Sequence, residues 1–269
     1  MTSAAARPRT RPAWVSLALP AQHGGWGFWF EPALAGLIAA PSTAGLWLAL
    51  SGLGALLLHH PLMVAYKDLR RGRMYARTRT AMLLASVYAL IMLAAFTMAY
   101  MQAGAAFLPV LLIALPCALI YFWHDLRNDA RSVVAEVCGV IAFAVIAPAC
   151  GLAAGWTALP ALALWALIIV RAVTSILYIR ERLRLEKGKT AHHVLVHGAH
   201  VVGLLVIAGL AAAGSAPWLP LIAGVLLTVR ALLGLSERRQ SVPPKILGFR
   251  EIAYGTIFAL LTGIGYRLL

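Results

Sequence analysis

The chain has 269 residues, of which 62% are hydrophobic and only 12% are charged. Because soluble domains carry roughly 25% charged residues, this composition excludes an ordinary soluble protein. The formal net charge of +14 would suggest a nucleic-acid partner in a soluble chain. In a membrane protein the excess of Lys and Arg in cytoplasmic loops accounts for the same charge, so we expect no nucleic-acid partner.

Long apolar runs follow one another along the whole sequence, each close to the roughly 20 residues that cross a bilayer as a helix. They cover residues 14–40, 44–66, 79–100, 106–123, 133–152, 160–179, 198–213, 217–235 and 251–268. Continuous runs favour helices over a membrane β-barrel, whose strands alternate. The sequence therefore predicts an all-α polytopic membrane bundle of about nine transmembrane helices, a single domain over 14–269 that follows a basic cytoplasmic tail at 1–13.

The cations alternate between the two sides that these spans define. If the N-terminal tail lies inside, the loops that also fall inside hold nearly every remaining Lys and Arg, and they are 67–79, 124–132, 180–197 and 236–250. The alternate connections contain no Lys or Arg, and they are 41–43, 101–105, 153–159 and 214–217. The positive-inside rule then predicts a multi-pass membrane protein with the N-terminus inside and the C-terminus outside.

Among the ionisable residues of the predicted spans, Glu31 in the first and Arg171 in the sixth lie well away from either end. Such a group costs a few kcal/mol or more in the bilayer unless it is paired or hydrated, which makes it a functional candidate. Arg171 is therefore a candidate substrate-binding residue. The alternatives are a structural ion pair between helices, or, for Arg230 near a helix end, a side chain that snorkels to the interface.

All four inner loops carry carboxylates among their cations, because Glu237 lies in 236–250 and the other three loops together hold five. Asp68 lies in the first, and the others are Asp125, Asp129, Glu181 and Glu186. Orientation needs only the cations, because acidic residues contribute little to it. Either these acids only solvate the loops, or the three loops converge around one polar cavity.

The histidines His193, His197 and His200 follow i, i+4, i+7, which places them on one face of a helix. Neutral imidazoles at this spacing are suited to a metal or haem. One helical stripe does not close a coordination sphere by itself, and a polar interfacial helix is the alternative interpretation.

Two stretches of the chain resemble the YwiC-like family of bacterial integral membrane proteins. They are "PAQHGGWGFWFEPALAGL" near the start and "GFREIAYGTIFALLTGIGY" at the end. The resemblance covers nearly the whole chain. The function of that family is poorly characterised, so the resemblance implies a location in the bacterial inner membrane but no reaction.

Two inner loops, "YKDLRRGRMYARTRT" and "RERLRLEKGKTA", are similar to the active-site loops of the UbiA superfamily of intramembrane prenyltransferases, which have nine helices. This resemblance implies a UbiA-like fold and a cytoplasmic-side site for an isoprenoid diphosphate. The metal ligands would be Asp68, Glu181 and Glu186, enough for one Mg²⁺ but few for two. The diphosphate would be bound by Arg70, Arg73, Lys187 and Lys189.

Three functions therefore remain open. The first is a diverged prenyl- or lipid-transferase with Trp26, Trp29 and Phe30 lining its apolar chamber. The second is a non-catalytic binder or carrier of an anionic lipid that uses the same cations without a metal. The third is a membrane protein that binds metal or haem through its histidines.

The transferase hypothesis makes a specific demand on the second of these loops. Glu181 and Glu186 are five residues apart, so a regular helix separates them by about 140°. A shared ion requires the helix to end or unwind between them, and Gly188 marks a plausible helix end.

Overall fold

The computed structural model describes residues 13–19 and 23–269. Within these residues the chain forms eleven α-helices and no β-strand, which confirms the predicted all-α class. The helices are α1 (Ala13–Ala18), α2 (His23–Ala39), α3 (Thr43–Arg70), α4 (Ala76–Ala103), α5 (Leu108–Leu126), α6 (Val133–Ala144), α7 (Ile146–Ala153), α8 (Ala158–Glu186), α9 (His193–Ala212), α10 (Leu219–Leu235) and α11 (Pro244–Leu268). The predicted basic tail at 1–13 lies almost wholly outside the described residues.

Seven helical segments are long and apolar enough to cross a membrane, so the chain is a multi-pass membrane protein. They are α3, α4, α5, α6 together with α7, α8, α9 and α11. Helix α10 is apolar but has only 17 residues, and α2 has the same length. The predicted count of nine spans is thus not confirmed and stays a prediction.

The fifth predicted span, 133–152, is made of two helices rather than one. Helix α6 ends at Ala144, and α7 begins at Ile146 and contains Pro148. A proline four residues after Ala144 has no N–H to donate to the Ala144 carbonyl, and its ring clashes with that carbonyl. The break therefore follows from the position of this proline in the sequence.

Hydrogen bonds show which connections share an end of the bundle. At one end Thr43 of α3 donates to Gln102 of α4 (2.6 Å), and Tyr266 of α11 donates to the carbonyls of Pro160 and Ser215 at 3.3 and 3.2 Å. The connections at this end are 40–42, 104–107, 154–157 and 213–218, and none contains a charged residue. The connections at the other end carry the cations, and they are 71–75, 127–132, 187–192 and 236–243. We call this second end the basic face.

Two helix boundaries at the basic face differ from the predicted ones. Most of the predicted loop 180–197 is helical, because α8 continues to Glu186 and α9 already begins at His193. Only 187–192 form the turn, and Gly188 ends the helix as expected, in the left-handed conformation (φ 69°) that glycine adopts without strain. Similarly, α11 begins at Pro244, so Glu251 lies two turns inside a helix and not at its start.

Small residues let the central helices approach closely, as is usual in membranes. A Cβ atom added to Gly263 of α11 would lie 2.7 Å from the Cβ of Ile38 in α2. One added to Gly36 of α2 would lie 3.0 Å from the Cα of Ala147 in α7. Helix α2 is therefore held between α7 and α11, and this packing places Glu31 among the central helices.

Candidate functional site

Four ionisable residues from four helices meet inside the bundle. Glu31 comes from α2, Arg171 from α8, Arg230 from α10 and Glu251 from α11. Each lies within a helix that is otherwise largely apolar. We call these residues the buried charge cluster.

Arg171 connects the two carboxylates of the cluster. Its Nη2 atom donates to Oε1 of Glu31 at 3.1 Å and to the backbone carbonyl of Glu251 at 3.0 Å. Its Nη1 atom lies 3.8 Å from Oε2 of Glu251. One guanidinium thus fixes α2 and α11 to α8 at the same depth.

Glu251 is also bound from two other sides. Arg230 donates from Nη1 to its Oε1 atom, and Ser175 donates from Oγ to its Oε2 atom. Arg230 lies over the rings of Tyr178 and Tyr254, with its guanidinium carbon 3.9 and 5.4 Å from the two ring centroids. Aromatic faces attract a cation most strongly where water is excluded, so these rings further stabilise the arginine.

The cluster is almost fully enclosed. The side chains of Arg171 and Arg230 are 2% and 6% exposed, and those of both glutamates are 13% exposed. Two guanidiniums and two carboxylates cancel in charge, which is the condition under which buried charges are tolerated. Arg230 is therefore not a snorkelling side chain, as one sequence alternative held, but a paired residue within the bundle.

A glycine makes room for these contacts. A Cβ atom at Gly255, one turn after Glu251 on α11, would overlap the carboxylate of Glu31 and lie 2.6 Å from Nη2 of Arg171. Any larger residue at 255 would displace the pair. The glycine is thus part of the site.

Some nitrogen atoms of the cluster have no partner among the described residues. They are Nε of Arg171 and both Nε and Nη2 of Arg230. A buried donor without an acceptor costs about 1–3 kcal/mol, so the protein side chains alone do not complete the cluster.

At the basic face, Asp68 fastens the turn between α3 and α4. Its carboxylate accepts from Nη2 of Arg77 at 2.8 Å, Nε of Arg77 at 3.1 Å and Oγ1 of Thr78 at 2.8 Å. Its backbone carbonyl accepts from the N–H groups of Arg71 and Arg73, each at 3.1 Å. Asp68 is 2% exposed, so this predicted metal ligand is buried and already bound by hydrogen-bond donors.

Glu181 plays the same part in the turn between α8 and α9. Its Oε2 atom accepts from the backbone N–H of His192 at 2.8 Å and lies 3.4 Å from Nε of Arg184. Arg184 in turn donates to the carbonyl of Thr190 at 3.1 Å. The six-residue turn is therefore attached to the last turns of α8 at two points.

Glu186 fastens a third connection, 236–243. It forms an ion pair with Arg182 at 2.8 Å and accepts a hydrogen bond from Oγ of Ser241. Arg182 also donates to the carbonyl of Gln240. Because α8 stays helical through Glu186, the two glutamates keep their wide angular separation and bind different segments.

Further polar contacts that were not predicted link the remaining connection to its neighbours. Arg180 donates to Glu136 and to the carbonyl of Arg131, both at 2.8 Å, which joins α8 to the α5–α6 turn. On the other side, Asp125 lies 2.9 Å from Nε2 of His59 and 3.5 Å from Nζ of Lys67. These contacts link the α5–α6 turn to α8 on one side and the end of α5 to α3 on the other.

The cations predicted to bind diphosphate, unlike these carboxylates, form no ion pair with a described residue. They are Arg70, Arg73, Lys187 and Lys189, and all four are exposed. Arg73 donates only to the hydroxyl of Tyr75, at 3.1 Å. Arg171, the fifth predicted substrate-binding residue, belongs to the buried charge cluster instead.

Within residues 13–19 and 23–269, no three His, Cys, Asp or Glu side chains are grouped closely enough to hold a metal ion. The three predicted Mg²⁺ ligands bind three different segments. Asp68 holds the α3–α4 turn, Glu181 holds the α8–α9 turn, and Glu186 holds the connection 236–243. The predicted histidine stripe does form one face of α9, where the rings of His193 and His197 have centroids 6.1 Å apart. Metal or haem binding by either set stays a prediction.

Comparison with known proteins identifies one family. Residues 19–151, about half of the chain, match the model of the YwiC-like protein family. No curated protein matches the chain, and no solved structure does either, so the resemblance to the UbiA superfamily stays a prediction. Over residues 19–151, this multi-pass helical protein is similar to the YwiC-like protein family.

Proposed function

We propose that the protein binds the phosphate or diphosphate headgroup of an anionic membrane lipid at its basic face, and that cations rather than a carboxylate-held metal make the contact. One observation carries this proposal. Each of the two turns that present the predicted anion-binding cations is fastened by a buried carboxylate, Asp68 or Glu181, while the cations themselves face outward and unpaired.

The turn between α8 and α9 shows how this arrangement favours binding. Glu181 and Arg184 hold the backbone of the turn, so Lys187 and Lys189 are presented from a fixed loop. A loop that is already ordered loses less conformational entropy on binding than a free one. Lysine and arginine both form charge-assisted hydrogen bonds with phosphate oxygens.

A lipid is the anion that suits this position best. The four cations sit at or just beyond the ends of membrane-spanning helices, where lipid headgroups lie. Each Lys or Arg near an anionic leaflet contributes about 1 kcal/mol of attraction. Two such residues in one turn therefore contribute about 2 kcal/mol, or roughly a thirtyfold change in affinity.

Titration of the purified protein in mild detergent tests the proposal, with an isoprenoid diphosphate, phosphatidylglycerol and neutral phosphatidylcholine as probes. Two double variants are made, one with Lys187→Gln and Lys189→Gln and one with Arg70→Gln and Arg73→Gln. Each should bind one or both anionic probes about tenfold or more weakly than the unaltered protein. The control is the double substitution Arg238→Gln and Lys245→Gln, because both residues are exposed cations at the same end of the bundle. Unchanged affinity in both test pairs, or an equal loss in the control pair, would refute a defined headgroup site.

A transferase that uses the same cations is the more specific form of this function. It requires Mg²⁺ to neutralise the diphosphate leaving group, held by Asp68, Glu181 and Glu186 after these carboxylates exchange their present partners. The transferase form predicts that the protein releases inorganic diphosphate from an isoprenoid diphosphate. This release should require Mg²⁺ and should be lost in the double variant Glu181→Gln and Glu186→Gln. Binding that persists in a chelator, with no diphosphate released, supports the non-catalytic form.

We further propose that the basic face is cytoplasmic, with the N-terminus inside and the C-terminus outside, in a bacterial inner membrane. The concentration of every charged connection at one end supports this through the positive-inside rule. Reporter fusions at 75, 128, 188 and 242 should report the cytoplasm, and those at 41, 103, 156 and 215 the opposite side. Two consecutive fusions on the wrong side would overturn both the orientation and the span count.

A further inference from the structure

A small cavity lies against the buried charge cluster, between α8, α9, α10 and α11. Its volume is about 10 Å³, which is close to the room that one water-sized guest needs. Its polar lining comes from Arg171 and Thr174 of α8, His200 of α9 and Thr228 of α10. This cavity is separate from the cations of the basic face.

Both threonine hydroxyls already donate to their own helices. Thr174 donates to the carbonyl of Val170 at 2.8 Å, and Thr228 to that of Gly224 at 2.9 Å. Arg171 and His200 instead retain ring or guanidinium nitrogens without a partner among the described residues, namely Nε of Arg171 and Nε2 of His200. Arg171 is 2% exposed and His200 3%, so these two atoms decide which guest the cavity accepts.

The hydrogen bond on the far side of the imidazole sets the chemistry of Nε2. Nδ1 of His200 lies 2.8 Å from the carbonyl oxygen of Val196. A carbonyl only accepts, so Nδ1 must carry the proton, and in the neutral ring Nε2 is then an acceptor. A guest that accepts from Arg171 and donates to His200 satisfies both atoms, and a water molecule does this.

Protonation of His200 changes the preferred guest. Both of these lining nitrogens are then donors, and an anion, which only accepts, satisfies two donors better than a water molecule does. The charged and titratable groups facing His200 are Arg171 of α8, His197 of α9, Arg230 of α10 and Glu251 of α11. With Glu31 the cluster is neutral, so a proton on His200 leaves one excess positive charge in a buried site.

We infer that this cavity is a site where a proton on His200 and one small inorganic anion bind together. The anion neutralises the excess charge and accepts hydrogen bonds from Nε of Arg171 and Nε2 of His200. The size of the cavity restricts the guest to a monatomic anion such as chloride, and excludes phosphate or sulfate without rearrangement.

Linked binding predicts a reciprocal effect that can be measured on the unaltered protein. If the anion needs a protonated His200, its apparent affinity falls by about tenfold per pH unit above the pKa of that histidine. By the same linkage, adding chloride must draw protons onto the protein. Adding chloride to the protein in weakly buffered detergent, at a series of pH values between about 5 and the ordinary histidine pKa of about 6.5, should therefore raise the pH of the medium. Sulfate at equal ionic strength should not.

Two variants locate the effect. In His200→Gln the side chain no longer titrates, so chloride-linked proton uptake should disappear. In His193→Gln, an exposed histidine at the start of the same helix, it should persist. Proton uptake that is absent in the unaltered protein, equal with sulfate, or retained in His200→Gln would overturn the inference, and the first two outcomes do not depend on whether the variant folds.

Discussion

The buried charge cluster and the basic face contain the same residue types but use them in opposite ways. In the cluster, two arginines and two glutamates cancel in charge, and the nitrogens without partners are buried. At the basic face, the carboxylates turn inward to fasten the loops, and the cations that remain face outward. Both regions therefore offer hydrogen-bond donors, one to a small guest inside the bundle and one to a ligand at the membrane surface.

The difference shows how burial decides what an ion pair does. An exposed pair contributes about 0–1 kcal/mol, so a surface carboxylate matters mainly where it also accepts backbone N–H bonds. Removing one partner of a buried pair leaves an uncompensated charge and costs about 3–5 kcal/mol. Changes in the cluster should thus damage stability, while changes among the outer cations should alter binding alone.

The largest effect is expected for Glu251→Gln, which removes the carboxylate that both Arg171 and Arg230 contact. We expect the free energy of unfolding, measured in mild detergent, to fall by about 3–5 kcal/mol, since two buried guanidiniums then share one glutamate. The matched control is Glu237→Gln, an exposed acid of the basic face that should change stability by no more than about 0.5 kcal/mol. Adding Arg230→Met to Glu251→Gln should recover part of the loss, because it removes the excess charge. Equal effects of Glu251→Gln and Glu237→Gln would contradict the division between the two regions.

A smaller loss is expected for Gly255→Ala, where the new methyl group collides with the Glu31–Arg171 pair. Overpacking of this kind costs about 1–3 kcal/mol. In Gly248→Ala, on the same helix, nothing lies within 4 Å of the new Cβ atom, so stability should stay the same or rise by about 0.5–1 kcal/mol. Thermal unfolding of both variants distinguishes a packing defect from a general effect of alanine in α11.

At the basic face, Asp68→Asn should cost about 1–2 kcal/mol, because the buried side chain loses its charged pairing with Arg77 and part of its contact with Thr78. Asp129→Asn is the comparison, since the side chain of Asp129 is 58% exposed and pairs only with His124. It should change the free energy of unfolding by less than about 0.5 kcal/mol. If the two substitutions prove equivalent, Asp68 is not a fastening residue.

The sequence predicted the helical class, the apolar spans and the charged ends, because each depends only on local composition. It also indicated Glu31 and Arg171 as unusual, since both lie deep in apolar runs. It did not indicate that Arg230 and Glu251 complete the same cluster. That depends on which helices pack against one another, and the positions of the apolar runs along the sequence do not determine this packing.

The boundaries at the basic face show a second limit. Charged residues at the end of a membrane helix look like loop in a hydropathy pattern, although nothing in Glu181, Arg182 or Arg184 prevents helix formation. Helix α8 therefore continues to Glu186. Its acids find their partners outside the helix, Glu181 at His192 in the following turn and Glu186 at Ser241, 55 residues further along the chain. The sequence alone therefore does not show whether a carboxylate of these loops is free or bound, because that depends on how the turns fold.

The central claim, that cations and not carboxylates contact the ligand at the basic face, is tested most directly by one pair of titrations. Glu181→Gln with Glu186→Gln is titrated with an isoprenoid diphosphate, once with Mg²⁺ and once with a chelator, beside the unaltered protein. We expect a chelator to leave the affinity of both proteins unchanged. Because these acids fasten loops, the variant should unfold at a lower temperature and bind slightly more weakly, by the same factor with Mg²⁺ and with the chelator. A loss of affinity of about tenfold or more that appears in the variant, and equally in the unaltered protein on chelation, would contradict the claim and establish a carboxylate-held metal.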